Sequence, residues 1–310
     1  MTEPFDLVAL GETMLSLIAA DGSLATATTF RATHGGAESN TCVGLARSGL
    51  RAAWVSRLGA DTAGDRIARA LDEETVDLRW VRRDDSRPTG LMLRDTAGSV
   101  RYYRAGSAAS VLSPDDLDEV PVEQARAVLV TGVTALIGPG PQLAARRLLE
   151  RARGLRVFDP NLRPGLWGSD RAGELILPLL ERCDLLLAGE TELGTLVGPL
   201  RGEELARRCR SLGPREIVVK RGSAGACVLD EGGTWHAHEP PPAPDVDPVG
   251  AGDAFNAGYL VARLGGSTPP EALVAGASRG AAVAGSVGDV DGFPVRVEIG
   301  SSERKEQRGP

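Results

Sequence analysis

The segment "DPVGAGDAFNAGYL" runs from Asp247 to Leu260. Three small residues, Gly250, Ala251 and Gly252, stand directly before an acid, Asp253. An apolar run at helical spacing follows through Ala254, Phe255, Ala257, Leu260 and Val261. Two readings are open. In one, the glycines turn the chain and Asp253 caps a helix by accepting backbone N–H bonds. In the other, free N–H groups at the helix start bind a developing anion, and the acid takes a proton from an attacking hydroxyl.

Outward from this segment, short apolar runs alternate with helical patterns. Residues 5–10 (FDLVAL), 127–132 (AVLVTG), 155–160 (LRVFDP), 184–189 (DLLLAG) and 216–220 (EIVVK) read as buried strands. Continuous apolar runs of this kind suit a parallel sheet covered on both faces. Helices are expected over roughly 37–48, 63–74, 140–153, 171–182, 190–197 and 202–212. Strand and helix in turn predict an α/β, doubly wound, mostly parallel sheet. Two segments break the rhythm, residues 12–33 and 86–111. Both read as strands of a small β-sheet lid, and "TGLMLRDTAGSVRYYRAG" reads as a hairpin turning at Asp95–Gly98. One domain over 1–299 is expected, reached by a proline-stiffened loop at 239–248 before the opening segment, with a polar tail over 300–310. Ligands of such sheets sit beyond the carboxyl ends of the strands, so the loops after Phe158, Leu187 and Val219 are the candidates.

Composition narrows the function. The chain has 310 residues, 42% of them hydrophobic, which is ample for a core. No apolar run has the length of a membrane span, and the N-terminus does not read as a signal peptide. A net charge of -7 argues against a general nucleic-acid partner. Cys42, Cys183, Cys209 and Cys227 form no CxxC pair, so they read as reduced core thiols in a cytoplasmic protein. Lysine occurs only at Lys220 and Lys305, which excludes a Walker A loop, and no G-x-G-x-x-G follows a strand. A bound nucleotide would need another device.

Two further glycine motifs supply candidates. "GGAESN", Gly35 to Asn40, opens a helix; Gly35 and Gly36 permit close backbone approach and Asn40 can hydrogen-bond a ligand. "VKRGSAGA", Val219 to Ala226, follows a buried strand, and Gly222 and Gly225 could turn N–H groups toward a phosphate. Read alone, each is equally a simple turn. Together the motifs resemble the PfkB, or ribokinase-like, family of carbohydrate kinases. "GGAESNTCVGLARSG" matches the family's first signature and "DPVGAGDAFNAGYL" its second and more specific one. "GADTAGD", "VFDPNLR" and "VKRGSAG" lie between in the expected order, and the resemblance runs from about Val8 to Pro294. It implies that Asp253 is the base and that the Gly250-Ala251-Gly252 backbone is the anion hole for the transferring phosphoryl group. It also implies ATP over Lys220–Gly225 and a helix near 275–284, and Mg2+ organised through Glu192. A monovalent cation is an optional third cofactor, and a homodimer or higher oligomer through the lid a possible assembly.

The resemblance also bears on the substrate. Many relatives carry a sugar-binding aspartate shortly after the first strand's "GE"; counting from Gly11-Glu12 the place is about Ser16, and the acid is missing. "YYRAGSAAS" and "DPNLRPGLW" supply Tyr102, Arg104 and Arg163 instead. Within the family these segments look most like kinases of 2-keto-3-deoxygluconate, in which the matching Tyr102, Arg104, Arg163, Gly35 and Asn40 line the acid-sugar pocket. A carboxylate would be gripped by arginines. The bland alternatives are a solvated lid charge for Arg104 and a structural ion pair for Arg163. Departures also stand out. Gly189 replaces the asparagine of an N-x-x-E motif, leaving Glu192 or Glu190 for the metal, and Met92 replaces a lid tyrosine. His34 sits at the expected pocket rim, and His236 and His238 are expected to be exposed beside a turn. A kinase of a neutral ketose such as fructose, and a non-catalytic sugar or nucleotide sensor, are the alternative functions.

Overall fold

The structure, a computed structural model, describes residues 3–162, 169–240 and 246–293; of residues 169–172 only the backbone is described. Arg163 and the tail over 300–310 therefore lie outside the described residues, as does the middle of the proline loop. The chain runs β1 (Leu7–Leu10), β2 (Met14–Ala19), β3 (Phe30–Gly35), α1 (Ala37–Ala46), β4 (Ala52–Gly59), α2 (Thr62–Glu73), β5 (Val81–Asp84), β6 (Leu91–Arg94) and β7 (Val100–Tyr103). It continues β8 (Ala127–Thr131), α3 (Gly132–Leu136), α4 (Pro139–Arg151), β9 (Leu155–Asp159), α5 (Ser169–Leu180), β10 (Leu185–Gly189), α6 (Glu190–Val197) and α7 (Gly202–Arg210). Last come β11 (Glu216–Lys220), β12 (Ala226–Leu229), β13 (Trp235–His238), α8 (Ala251–Leu264) and α9 (Pro269–Ala284).

Nine strands form the main sheet in the order β13-β12-β11-β10-β9-β8-β1-β4-β5. Its neighbours are parallel except where β12 runs against β11 and β13. Strand β1 shows why the apolar runs are continuous. Leu7 and Ala9 pack into one core with residues of α1, α2, α8 and α9, while Val8 and Leu10 pack into the other, with residues of α4 to α7. A strand covered on both faces has no polar side to display.

All five strands expected from the sequence are present, and the helices end within a few residues of the expected positions. Strand β4 was not legible. It opens on two alanines, which are poor strand signals, and it carries Ser56 at full burial, where the hydroxyl donates to the Gly11 carbonyl at 2.7 Å. Strands β5 (VRRD) and β13 (WHAH) are the sheet edges, where charge and polarity discourage further pairing. His236 and His238 correct an expectation: they lie within β13, partly buried, and His236 Nε2 is 2.8 Å from the Asp230 carboxylate.

The second sheet has the order β3-β2-β6-β7. β6 and β7 form the hairpin read at 89–106, and β2 pairs with β6 in parallel, joining two distant segments into one wall. All four cysteines are buried and free. Among the described residues no helix is long and apolar enough to cross a membrane.

Candidate active site

A cleft of about 460 Å³ opens between the carboxyl ends of the main strands and the second sheet. Glu12 reaches it after β1, Thr131 at the end of β8, Asp159 at the end of β9 with Asn161 just beyond, Gly189 at the end of β10 with Glu192 in α6, and Lys220 at the end of β11. The second sheet contributes Met14, Gly35, Met92, Arg94, Val100 and Tyr102.

The two glycine signatures meet here. Asn40, from α1, donates Nδ2 to Asp253 Oδ2 at 2.8 Å, with both residues buried. Gly250 occupies the cap position of α8 in the left-handed conformation, φ 85°. A Cβ there would overlap the Asp289 carbonyl, so no other residue fits. The cap therefore belongs to Gly250, and Asp253 lies in the first helical turn, on the cleft wall. First-turn amides have no partner inside their helix. Gly252 lines the cleft, and a Cβ on it would meet only Lys220 Nζ, at 3.8 Å. That leaves open space beside a cation at a helix N-terminus, a setting suited to phosphate. Ala251 differs from expectation: its N–H donates to the Pro248 carbonyl at 3.2 Å and the residue does not line the cleft.

Lys220 is held from below. Its Nζ donates to Asp159 Oδ2 at 2.9 Å and to Asn256 Oδ1 at 3.2 Å, and Asn256 Nδ2 donates to the same Asp159 oxygen at 2.7 Å. Neither Asp159 nor Asn256 was singled out from the sequence, although each lies inside a quoted motif. Asn161 adopts φ 45°, a conformation asparagine tolerates better than most residues. Gly222 lines the cleft as expected, but Gly225 does not. With φ 89° and the His238 carbonyl against its α-carbon, Gly225 closes the turn into β12. Helix α9 packs on α8 and gives no residue to the cleft lining.

Glu192 reaches the cleft while its Oε2 accepts the Gly189 N–H at 2.8 Å, which caps α6. Glu190 instead takes the Gly202 N–H at 2.9 Å and faces Arg201, outside the cleft lining. No cluster of three or more potential metal-ligating side chains occurs among the described residues. Mg2+ keeps several waters and takes one or two carboxylates plus substrate phosphates.

Arg104 lines the cleft half-buried, paired with Glu12, so it is not a solvated charge. Glu12 Oε1 also accepts from Ser107 Oγ at 2.5 Å. Ser16, by contrast, is fully buried and is absent from the cleft lining. The carboxylate in that part of the wall is instead that of Glu12. Tyr102 lines the cleft beside Arg104, whose guanidinium carbon lies 5.9 Å from the ring centroid. His34 faces a separate cavity with Arg47, Arg66, Glu74 and Asp291, and so is not at the rim.

Glu38 was missed altogether, because a glutamate in a first helical turn reads as an ordinary dipole partner. It is buried, and its Oε1 accepts from the Thr131 amide at 3.0 Å and from the Thr131 and Thr134 hydroxyls at 2.7 Å each. Burial pushes its carboxyl from 4.5 up to about 7, and Asp289 from 3.8 up to about 6. Raised folded-state values favour the protonated form in the fold. Their stabilising contribution is full below the unfolded values and is lost as pH rises through the folded ones. Stability is therefore expected to fall between about pH 4 and 7.5, by up to about 1.4 kcal/mol per unit and per group. Glu38→Gln should flatten the upper part of that fall and leave the lower part, due to Asp289. Melting curves against pH check this; overlaid profiles would clear Glu38 of the titration.

A doubly wound sheet with a helix N-terminus, a cation and a buried acid converging at its carboxyl ends defines an α/β enzyme built to handle an anionic group beside a proton acceptor. The pfkB family carbohydrate kinase model matches residues 5–296. The chain belongs to that family. It is 35% identical over 298 residues to the 2-dehydro-3-deoxygluconokinase of Thermoproteus tenax, covering 93% of this chain and 91% of the relative. It is 33% identical to the 2-dehydro-3-deoxygluconokinase of Bacillus subtilis, covering 96% and 94%. The solved 2-dehydro-3-deoxygluconokinase of Thermotoga maritima superposes with a TM-score of 0.84 at 25% identity, covering 93% and 94%.

Proposed function

We propose that the chain is an ATP- and Mg2+-dependent sugar-acid kinase that phosphorylates the terminal hydroxyl of 2-keto-3-deoxygluconate. The observation that carries it is the meeting of Asn40 and Asp253 at the glycine turn of α8. Asp253 accepts the hydroxyl proton, and Asn40 holds the carboxylate in plane. Gly250 and Gly252 leave room at the helix start for a tetrahedral anion, and Lys220 adds positive charge there. Phosphoryl transfer needs this positioning and charge more than covalent chemistry. Mg2+, when bound, neutralises phosphate charge, and Glu192 is the side chain placed to hold its water shell.

The relatives named above act on the same sugar acid, which supports the acid over a neutral sugar. One observation favours a neutral ketose as a second reading. Among the described cleft-lining residues, Glu12, Glu38, Asp159, Glu192, Asp253 and Asp289 face only Arg94, Arg104 and Lys220. Each of those cations already has a carboxylate partner. An acid substrate then depends on Arg163, as this reading holds. A coupled ADP assay across 2-keto-3-deoxygluconate, its galactonate epimer, fructose and ribose decides: preference for fructose overturns the acid reading, and no turnover of any sugar overturns the kinase reading. The reading also places the protein in the cytoplasm, consistent with four buried free thiols. It allows a homodimer through the second sheet, where Tyr103 is 62% exposed.

The metal assignment has its own test. Glu192→Gln removes a charge from the ion's surroundings and should raise the Mg2+ concentration for half-maximal rate severalfold. A magnesium titration that overlays wild type would leave Glu192 as a cap of α6 alone.

A further inference from the structure

Arg94 is fully buried, at the last residue of β6 in the second sheet. Its Nη1 donates to Asp247 Oδ2 at 2.7 Å and its Nη2 to Asp289 Oδ1 at 3.0 Å. The two acids stand on either side of the Gly250 turn. Asp247 begins the loop into that turn, where its Oδ1 accepts the Val249 N–H at 3.2 Å. Asp289 supplies the backbone against which Gly250 packs, and its other carboxylate oxygen occupies the space a Cβ on Gly35 would need. One guanidinium thus joins the small sheet, the loop before α8 and the segment beneath the turn.

We propose that Arg94 is a positioning residue that sets the Gly250–Gly252 turn for phosphoryl transfer, by clamping Asp247 and Asp289 from the second sheet. This rests on reading that turn as the phosphate cradle. Two arguments carry it. The first is electrostatic. Without Arg94, Asp289 would stand in the cleft wall with Asp253, its charge opposed by both Asp253 and Asp247, and breaking a buried pair leaves an uncompensated charge. The second is geometric. Gly250 packs against the Asp289 backbone, and Arg94 ties the Asp289 carboxylate to Asp247 beside a weaker link, the Gly288 N–H donated to Asp247 Oδ2 at 3.3 Å. A lysine carries the charge but offers no planar fork to span two carboxylates.

The test uses purified wild type, Arg94→Ala and Arg94→Lys with whichever sugar the wild type turns over. Arg94→Ala is expected to lose about 100-fold in kcat, the scale of a small misplacement, with the sugar KM within about 3-fold of wild type. Arg94→Lys should recover only part of the loss. About 20 mM guanidinium chloride, against sodium chloride of equal ionic strength, should restore the Arg94→Ala rate about 10-fold or more, since it refills a site between two carboxylates. It should do nothing for wild type. Independently of any substrate, hydrogen exchange at amides 247–253 should quicken in Arg94→Ala while that of β8 stays unchanged. A wild-type rate in Arg94→Ala overturns the proposal, as does a loss confined to KM or guanidinium rescue of melting temperature without rescue of kcat. If Arg94→Ala does not fold, a fully active Arg94→Lys overturns it. A wild type inactive on every sugar counts against the kinase reading instead, and the exchange comparison still decides on the clamp.

Discussion

Asp253→Asn is expected to lower kcat by roughly 10²–10⁴-fold or more, the usual contribution of a general base, while the melting temperature barely moves. The substitution keeps the shape of the side chain and an oxygen for the Asn40 amide, which now donates at 2.8 Å. It removes only the capacity to take a proton and one negative charge. The charge of Asp253 helps to raise the Asp289 carboxyl, so its loss relieves a repulsion rather than creating one. Gly250, not Asp253, holds the cap position of α8. Steady-state kinetics and a thermal melt on the same preparation decide. Near-normal turnover removes Asp253 from the chemistry. A large drop in melting temperature with a proportionate loss of active protein makes it a structural acid.

The second large effect is expected at Arg163, and it tests the charge of the substrate. Arg163 follows Leu162 directly after the β9 loop, whose Asp159 and Asn161 line the cleft. Every described cation of the cleft is already matched by an acid, so a substrate carboxylate needs a positive group from elsewhere. Losing one partner of a buried charged pair costs on the order of 2–5 kcal/mol. Arg163→Ala should therefore lower kcat/KM for 2-keto-3-deoxygluconate by roughly 30- to several-thousand-fold. The loss should be far smaller for a neutral ketose turned over poorly by wild type. Arg163→Lys should recover part of it, for want of the planar fork. A damaged fold would harm both substrates alike. Equal proportional losses would remove the main support for an acid sugar.

What the sequence disclosed, and what it withheld, follows from how far each feature depends on distant residues. Strands β1, β8, β9, β10 and β11 were legible because both their faces are buried and their apolar runs are unbroken. Asp253, Gly250, Gly252, Asn40 and Lys220 were legible because their motifs are local. Asn40 and Asp253 touch across 213 positions, yet each is announced by its own glycines. The ion pairs were not legible. Nothing near Glu12 announces Arg104, and nothing near Arg94 announces Asp247 and Asp289. Ser16, within β2, is fully buried, while Glu12, in the loop before β2, lines the cleft, and no local pattern tells the two apart. Gly222 and Gly225 share one motif, yet only Gly222 lines the cleft; the packing of β13 against Gly225 separates them.

Strand β1 lies between β4 and β8, with Leu7 opposite Ala52 on one side and Ala127 on the other. The helices that cover Leu7 and Ala9 include α8 and α9, near the other end of the chain. During synthesis the first strand emerges long before β8 or the α8–α9 part of its covering exists. A topology so rich in contacts between distant residues folds slowly and leaves sticky intermediates exposed. Cys42, Cys183, Cys209 and Cys227 are shut away once the structure is complete, and they are spread from α1 to β12. Each becomes unreactive when its own region closes, so the order in which a thiol reagent ceases to reach them is a record of how the molecule is assembled.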